Sequence, residues 1–224
     1  MRDTVHSFTI LSLVANGCNR LSEIAARLGK PATHLSTPLE KLIALGYLER
    51  EIPFGENYKT GKRSLYKIAD PFLHFYFRYV VPNRSYIETE QIDEILSHIK
   101  NHFSEYVSFE WEKLCRKAVP LLKINAVQFG PASRWWGKTS SGEREIDIVA
   151  ESTDGKYVLV GECKWNENNQ NAEKLFQALR EKAKDLPFAA NKTLVTALFM
   201  KKANRNEDLG NIFVPADILK ALRK

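Results

Sequence analysis

A tight turn between two strand-like segments is the feature that most constrains this chain. Thr153-Asp154-Gly155-Lys156 separates residues 144–151 from residues 156–165, and both flanking segments have the composition of β-strands. If the turn is a type I′ hairpin with Asp154 and Gly155 as its two loop residues, it fixes the pairing. Directly opposed residues must then have numbers that sum to 309.

This register predicts that two carboxylates oppose each other. Asp147 faces Glu162, and Glu145 faces Lys164, with the Cβ atoms of opposed residues about 4.5 to 5.5 Å apart. Like charges at that separation destabilise a sheet, so a buried pair of carboxylates predicts a bound cation. Lys164 lies two residues from Glu162 and therefore on the same face. Two carboxylates and a lysine together favour metal-assisted phosphodiester hydrolysis with Mg²⁺ or Mn²⁺.

The two faces of the predicted hairpin differ in chemistry. The charged face carries Glu145, Asp147 and Val149 opposite Lys164, Glu162 and Val160. The uncharged face carries Ile146, Ile148 and Ala150 opposite Cys163, Gly161 and Leu159. The alternative interpretation is an exposed strand end on which Lys164 bridges Glu145 and Glu162. Such a surface ion pair contributes only about 0 to 1 kcal/mol.

The order of elements in the second half indicates a mixed sheet. The predicted elements are a helix over 102–119, one strand over 125–138 interrupted by Pro131, the hairpin, a helix over 171–185 and a strand over 192–200. A three-stranded meander followed by a helical crossover gives a mixed sheet with helices on both faces. The predicted fold class is therefore α/β (α+β), with this domain over residues 101–224.

Three short helices and a two-stranded ribbon are predicted in the first half. The helices cover 3–16, 21–29 and 31–45, and the strands cover 47–52 and 64–68. This order resembles a winged helix-turn-helix domain. The loop between the two strands carries Lys59, Lys62 and Arg63, which favours contact with DNA phosphates. The alternative is a small helical module used for protein contact, because a fold does not dictate a function.

An aromatic-rich segment ends the first predicted domain. Residues 70–81 are predicted to form a helix that packs inside the protein, since an aromatic stripe at helical spacing is usually core and not a stacking platform for bases. Pro82 then interrupts the helix. The predicted domains are a winged helix-turn-helix domain with this helix over 1–82, a connecting helix over 83–100, and the sheet domain.

Composition narrows the class of protein. The chain has 224 residues and a formal net charge of +6, which favours an anionic partner. It contains no apolar run of about 18 residues and begins without a signal-peptide pattern, so we expect a cytoplasmic location and no membrane partner. Cys18, Cys115 and Cys163 are odd in number and widely spaced. They support neither a disulfide framework nor a structural zinc site.

Asp147, a gap across a hairpin and then Glu162-Cys163-Lys164 resemble the motif of the PD-(D/E)XK, or restriction-endonuclease-like, superfamily. The resemblance implies that Asp147 and Glu162 bind Mg²⁺ together with the Cys163 carbonyl, while Lys164 orients or activates the attacking water. It also implies a further carboxylate from the first helix, for which Glu110 is the first choice and Glu112 the second. Glu145-Ile146-Asp147 stands where the superfamily has Pro-Asp.

Almost the whole chain also resembles the C-terminal half of a family of prokaryotic AAA-type ATPases, in which a winged helix precedes a nuclease-like domain of unknown function. The segments that carry this resemblance are 21–29, 65–82, Arg134-Trp135-Trp136-Gly137, Glu145-Ile146-Asp147-Ile148 and Gly161-Glu162-Cys163-Lys164-Trp165. The ATPase domain of that family is not in this sequence. The chain is therefore expected to be a short relative or a fragment of a longer protein.

Three functions remain open on the sequence. The first is a metal-dependent DNA endonuclease that uses the winged helix to hold its substrate. The second is a catalytically inactive DNA-binding or regulatory module with a nuclease-like fold. The third is a protein-interaction module that docks onto an ATPase or onto another copy of the chain.

Overall fold

The computed structural model describes residues 2–59, 61, 63–166, 171–203 and 210–223. Two compact units are present, one made of residues 1–52 and 57–102, the other of residues 53–56 and 103–224. Helices and a five-stranded mixed sheet give the α+β class that the sequence predicts. Within these described ranges, no helix is both long enough and apolar enough to cross a membrane.

The first unit has the element order of a winged helix-turn-helix domain. Its leading elements are α1 (Arg2–Ala15), α2 (Leu21–Leu28), α3 (Ser36–Ala44), β1 (Leu48–Glu51) and β2 (Leu65–Ile68). Helix α2 ends at Gly29, whose φ of 61° is the left-handed conformation that glycine adopts without strain. Strands β1 and β2 pair antiparallel. Ile10, Ile24 and Leu39 are among the buried residues that join these elements into one core.

The aromatic segment of the first unit is helical, as predicted, and packs inward in part, since Phe72 is exposed. Helix α4 (Pro71–Phe75) begins where the Asp70 carboxylate accepts a hydrogen bond from the Leu73 N–H at 2.9 Å. A π-turn over Tyr76–Val80 follows and buries Phe77 and Tyr79. The residues predicted as a connecting helix form α5 (Arg84–Glu88) and the start of α6 (Ile92–Ala118). Helix α6 is longer than predicted because no Gly or Pro interrupts it.

The second unit contains the predicted meander and crossover. Its strands are β3 (Lys123–Ile124), β4 (Val127–Gln128), β5 (Ser133–Thr139), β6 (Gly142–Glu151), β7 (Tyr157–Lys164), β8 (Thr193–Met200) and β9 (Asn211–Phe213), and its later helices are α7 (Ala172–Ala183) and α8 (Pro215–Leu222). The sheet order is β5-β6-β7-β8-β9. The pairs β5–β6 and β6–β7 are antiparallel, whereas β7–β8 and β8–β9 are parallel.

The prediction from the sequence was wrong for one strand and missed three elements. The segment read as one interrupted strand forms β4, which pairs with β3, and the separate strand β5. Asn125 and Ala126 have φ values of 52° and 60°, so the tight turn with two left-handed residues lies here. Strands β3 and β9 were not predicted, because two and three residues are too few to show alternation, and helix α8 was also missed.

Helices cover both faces of the five-stranded sheet. On one face, Trp111 and Cys115 of α6 and Ile218 of α8 pack against Ile148 and Leu159. On the other face, α7 packs through its own set of buried residues. That cluster contains Phe176, Leu179, Ile146, Val149, Val160 and Leu198. Both faces of the central strands are therefore dry, as expected for a hairpin at the middle of a sheet.

The β6–β7 hairpin has the predicted register but a different turn. Its pairs are Ile148–Gly161, Val149–Val160, Ala150–Leu159 and Glu151–Val158, whose numbers sum to 309. The Ser152 N–H donates to the Tyr157 carbonyl at 3.0 Å, so the loop contains residues 153–156. Gly155 is the only residue of this fully described loop with a positive φ, so the type I′ interpretation was wrong. The register survives because the longer loop has the same centre.

Strand β6 carries a β-bulge beside Asp147. Ser133 of β5 pairs with Val149, whereas Trp135 pairs with Ile146, so β6 advances one residue more than β5 between the two pairs. The bulge turns Ile146 to the same face as Val149, while Ile148 packs on the opposite face. The prediction that Ile146 and Ile148 share a face was therefore wrong, because an extra residue interrupts the two-residue period.

Gly161→Ala is expected to destabilise the second unit by about 1 to 3 kcal/mol. A Cβ at Gly161 would lie 3.0 Å from Cε2 of Phe199 and 3.1 Å from Cβ of Ile148, inside a packed core. Gly130→Ala is the control, because its Cβ would meet its nearest neighbour, the Glu151 carbonyl oxygen, at an ordinary 3.5 Å. Urea unfolding of both variants measures the difference, and equal stabilities would contradict this account of the packing.

Candidate active site

Asp147 lies at the point where the β6–β7 ladder stops. The last pair of the ladder is Ile148–Gly161, one step before Asp147. The Cys163 N–H, which a continued ladder would direct to the main chain of residue 146, donates instead to Oδ2 of Asp147 at 2.8 Å. The Asp147 side chain thus replaces a backbone acceptor, and this fixes its carboxylate beside β7.

The pKa of Asp147 is raised from its ordinary value of 3.8 to about 6. Burial is the largest cause, and the negative charges of Glu112 and Glu162 add to it. The hydrogen bond from the Cys163 N–H and the charge of Arg134 act in the opposite direction but are outweighed. A buried carboxyl with two further carboxylates near it is a site that would accept more positive charge.

Two lysines hold Glu162. Nζ of Lys164 donates to Oε1 at 2.7 Å, and Nζ of Lys182 donates to Oε2 at 3.0 Å. Lys164 belongs to the same strand, and Lys182 extends from α7. Each carboxylate oxygen of Glu162 therefore has one ammonium group.

The predicted contact between Glu145 and Lys164 is not formed. Glu145 pairs with Arg134 of the neighbouring strand β5, and Lys164 contacts Glu162. The bulge beside Asp147 ends regular pairing before residue 145 reaches Lys164, and β5 offers Glu145 a closer cation. The predicted restraint of Lys164 by Glu145 was therefore wrong.

Lys164 remains a cation in this environment. Burial lowers its pKa, but the hydrogen bond and the negative charge of Glu162 outweigh burial and leave the pKa above its ordinary value. A lysine with a raised pKa donates hydrogen bonds and positive charge at neutral pH and does not accept a proton.

Helix α6 brings a third carboxylate to Asp147. The Trp111 ring nitrogen donates to the Phe199 carbonyl at 3.1 Å and anchors the helix on β8. The next residue, Glu112, is one of the two carboxylates that raise the Asp147 pKa. Glu110, the first choice on the sequence, is half-buried on the same helix. Glu112, the second choice on the sequence, is thus the α6 carboxylate whose charge raises the pKa of Asp147.

Arg116 ties α6 to the strand that carries Asp147. Its Nη1 donates to the Asp147 backbone carbonyl at 3.1 Å and lies 3.5 Å from Oε2 of Glu112. The residue is 9% exposed, so this guanidinium is a buried link between helix and sheet. Arg116 and Lys182 both escaped the sequence analysis, because only the tertiary fold brings them to the motif.

Cys163 contributes its main chain to the site. Its side chain lies in the buried cluster of α6, and burial together with the hydrogen bond to Cys115 raises the pKa of its thiol well above the ordinary value. The thiol is therefore neutral and a poor metal ligand. The contact seen at the site is the N–H bond to Asp147. The predicted use of the Cys163 carbonyl stays a prediction.

The donor set suits a hard divalent cation, although the side chains are not arranged around one. Across the part of the chain that the structure describes, no three His, Cys, Asp or Glu residues are grouped so that they could hold a metal ion. Asp147, Glu162 and Glu112 supply the carboxylate oxygens that Mg²⁺ and Mn²⁺ prefer. The carboxylate oxygens fit the metal chemically, but Glu162 could bind it only after losing one of its two ion pairs with lysine.

Two of the three residues predicted for DNA binding lie on an accessible loop. Lys59 and Arg63 are exposed between β1 and β2. Lys62 lies outside the described residues. Arg50 supports this loop by donating from Nη2 to the Gly61 carbonyl at 2.9 Å and by lying 5.3 Å from the centre of the Tyr58 ring.

The chain is similar to archaeal and bacterial proteins. Residues 76–175 match the family DUF234, described as archaea bacterial proteins of unknown function. An uncharacterized protein of Methanocaldococcus jannaschii is 35% identical over 179 residues, which cover 78% of this chain and 39% of that protein. The chain thus spans about two fifths of that relative's length. A crystal structure of a Vibrio cholerae protein aligns with 96% of this chain and 48% of its own, at 13% identity and a TM-score of 0.30.

Asp147 should make stability fall as pH rises between about 4 and 6. Its folded-state pKa of about 6 exceeds its ordinary value of 3.8, so in this window the folded protein binds more protons than the unfolded chain. The contribution is fully present below pH 4 and is lost as pH passes 6. A shift of this size corresponds to up to about 3 kcal/mol.

Asp147→Asn removes this titration and serves as the comparison. We expect the free energy of unfolding of the wild type to fall by about 2 to 3 kcal/mol more between pH 4 and pH 7 than that of the variant, measured by urea denaturation in EDTA. Parallel pH profiles for the two proteins would contradict the raised pKa.

Proposed function

We propose that the chain is a metal-dependent phosphodiesterase that acts on nucleic acid, with a site of the PD-(D/E)XK type. The observation that carries the proposal is the half-buried carboxyl of Asp147, which the Cys163 N–H fixes at 2.8 Å and whose pKa is raised to about 6 by desolvation and by the charges of Glu112 and Glu162. Lys164 donates a hydrogen bond to the neighbouring carboxylate of Glu162. One or two carboxylates with water molecules suffice to bind Mg²⁺, and Asp147 and Glu162 supply two.

Asp147 and Glu162 would hold Mg²⁺ or Mn²⁺, with the Cys163 carbonyl as a further ligand and Glu112 as a carboxylate at the edge of the site. A bound ion of this kind polarises a phosphoryl oxygen and lowers the pKa of water. The Cys163 N–H keeps the Asp147 carboxylate in place, and Arg116 holds the strand behind it. Lys164, a cation, would donate a hydrogen bond to the attacking water or to the phosphate.

Nucleic acid is the substrate class that the rest of the chain favours. The net charge of +6 attracts a polyanion, and the element order of the first unit is that of a winged helix-turn-helix domain with Lys59 and Arg63 exposed on its wing. Phosphate contacts from such a wing fix the position of a duplex without reading its sequence. The winged helix is thus proposed to hold DNA.

The second candidate is a module without catalysis that binds DNA, regulates, or docks onto a protein partner. The observation that favours it is the pairing of both Glu162 oxygens with lysines, since a carboxylate so paired is a complete ion cluster without a metal. An ATPase domain or subunit is proposed as the partner of this candidate, because the sequence resembles the C-terminal half of AAA-type ATPases, and a second copy of the chain is the alternative partner.

Asp147→Asn and Glu162→Gln are each expected to lower nucleic-acid cleavage by about 100-fold or more, because each removes a proposed metal ligand and several kcal/mol of transition-state stabilisation. The assay uses circular, linear and single-stranded DNA and RNA with Mg²⁺ or Mn²⁺. Glu181→Gln is the matched control, since Glu181 is an exposed carboxylate on α7 paired with Lys184.

The outcome of the cleavage assay separates the two candidates. Wild-type cleavage that depends on Asp147 and Glu162 but not on Glu181 supports the phosphodiesterase. The proposal is abandoned if the wild type cleaves none of these substrates with either metal. Salt-dependent DNA binding without cleavage then identifies the DNA-binding module.

Removing the wing charges should weaken DNA binding in a salt-dependent way. For Lys59→Ala with Arg63→Ala, the slope of log affinity against log salt is expected to fall in magnitude by up to about 2, since each lost phosphate contact contributes about 0.9. Lys184→Ala with Lys220→Ala removes the same charge from exposed helix positions of the second unit and should leave the slope unchanged. Fluorescence anisotropy with a labelled duplex measures both, and equal slopes would refute a role for the wing.

A further inference from the structure

Glu162, Lys164 and Lys182 form an ion cluster, here called the Glu162 cluster. Lys182 comes from helix α7, whereas the other two residues belong to β7. Its Nζ lies 3.0 Å from Oε2 of Glu162, and its side chain is 37% exposed, whereas the Glu162 side chain is 12% exposed. Lys182 follows Leu179 and precedes Ala183, both buried on the face of α7 that covers the sheet. Its aliphatic stem therefore runs along the packed face while its ammonium group reaches both Glu162 and solvent.

The charges around Asp147 are balanced by protein side chains alone. The carboxylates are Asp147, Glu162 and Glu112, and the cations that contact them or their main chain are Lys164, Lys182 and Arg116. A divalent cation added to this set would leave an excess of positive charge at a half-buried site on the internal strands β6 and β7. Binding is therefore favoured only if one of the resident cations moves away.

Lys182 is the cation that can leave at the lowest cost. Arg116 is 9% exposed and bonds to the main chain of β6, so its departure would strand a buried charge. Lys164 is two residues from Glu162 on the same strand, which keeps its ammonium group near the carboxylate whatever else changes. Lys182 lies on another element, so its ammonium group is not held near Glu162 by the strand, and its side chain, 37% exposed against 30% for Lys164, reaches water when the ion pair opens.

We infer that Lys182 is a resident counter-ion that competes with the divalent cation for Glu162 and so sets the concentration at which the metal binds. The inference rests on the proposed function, since it assigns regulation to the same site. Lys182 is a positioning residue in this scheme. It holds Glu162 through Oε2, and it releases that oxygen when a cation with two charges replaces its one.

Lys182→Met tests the inference through metal binding, without any assay of activity. Methionine keeps the apolar stem and removes the ammonium group, which leaves three carboxylates with two cations. We expect the variant to bind Mn²⁺ up to about fivefold more tightly than the wild type, since loss of one competing ion pair of this exposure is worth up to about 1 kcal/mol. The electron paramagnetic resonance signal of free Mn²⁺ measures the affinity.

Lys184→Met is the matched control. Lys184 is the residue directly after α7, and its side chain is 68% exposed. Its Nζ is 2.7 Å from Oε1 of Glu181, so its substitution changes the net charge by the same amount but removes no contact of Glu162. Its Mn²⁺ affinity should stay within about twofold of the wild type, because exposed charges are screened. Lys182→Arg, which keeps the charge, should also resemble the wild type.

The results distinguish failure of the inference from failure of the proposed function. Tighter binding by Lys182→Met alone supports the inference, as does binding by this variant when the wild type binds none. Equal or weaker binding by Lys182→Met, with wild-type binding that Asp147→Asn abolishes, overturns the inference and leaves the metal site standing. Absence of Mn²⁺ binding in both proteins overturns both.

Discussion

The hydrogen bond from the Cys163 N–H to the Asp147 carboxylate determines how the candidate site is built. An antiparallel ladder normally pairs such an N–H with a carbonyl of the neighbouring strand, and here a side chain takes that place. The substitution requires the main chain of β6 to move aside, which the bulge opposite β5 permits. The bulge in β6, the end of the β6–β7 pairing and the position of the Asp147 carboxylate therefore occur together, in a sheet that is covered on both faces.

The two carboxyls of the motif differ because their partners differ. Glu162 accepts two ammonium groups, so its charge is neutralised by contact. Asp147 accepts one neutral N–H, and the cation nearest its main chain, Arg116, contacts the carbonyl and not the carboxylate. Asp147 is consequently the group whose pKa is raised to about 6, first by burial and then by the negative charges of Glu112 and Glu162, although both of these have cationic partners. Opposed carboxylates on a sheet can therefore have different roles, set by which one the lysines reach.

The sequence predicted the sheet register for a reason that does not depend on the turn type. A two-residue loop at Asp154 and Gly155 and the observed loop over 153–156 share one centre, so both give paired numbers that sum to 309. The bulge could not be predicted from the sequence, because the alternation of residues in β6 shows no interruption. The extra residue is recognised only from the pairing of β6 with β5. Lys182 was beyond reach for a related reason: nothing local in α7 distinguishes it from the exposed Lys184.

Protein cations already pair with Glu162 and Glu112, so the fold does not need a metal ion to neutralise them. In this respect the site differs from a structural metal centre. In a structural zinc site the ligands repel one another until the ion arrives, so folding and metal binding are one process. Here Lys164 and Lys182 neutralise Glu162, and Arg116 lies against Glu112, which leaves the single raised pKa of Asp147 as the remaining electrostatic cost. That cost is small enough for a folded domain to carry. A sheet that tolerates one uncompensated carboxyl retains an affinity for positive charge, and any cation that uses it must displace side chains that are already bound.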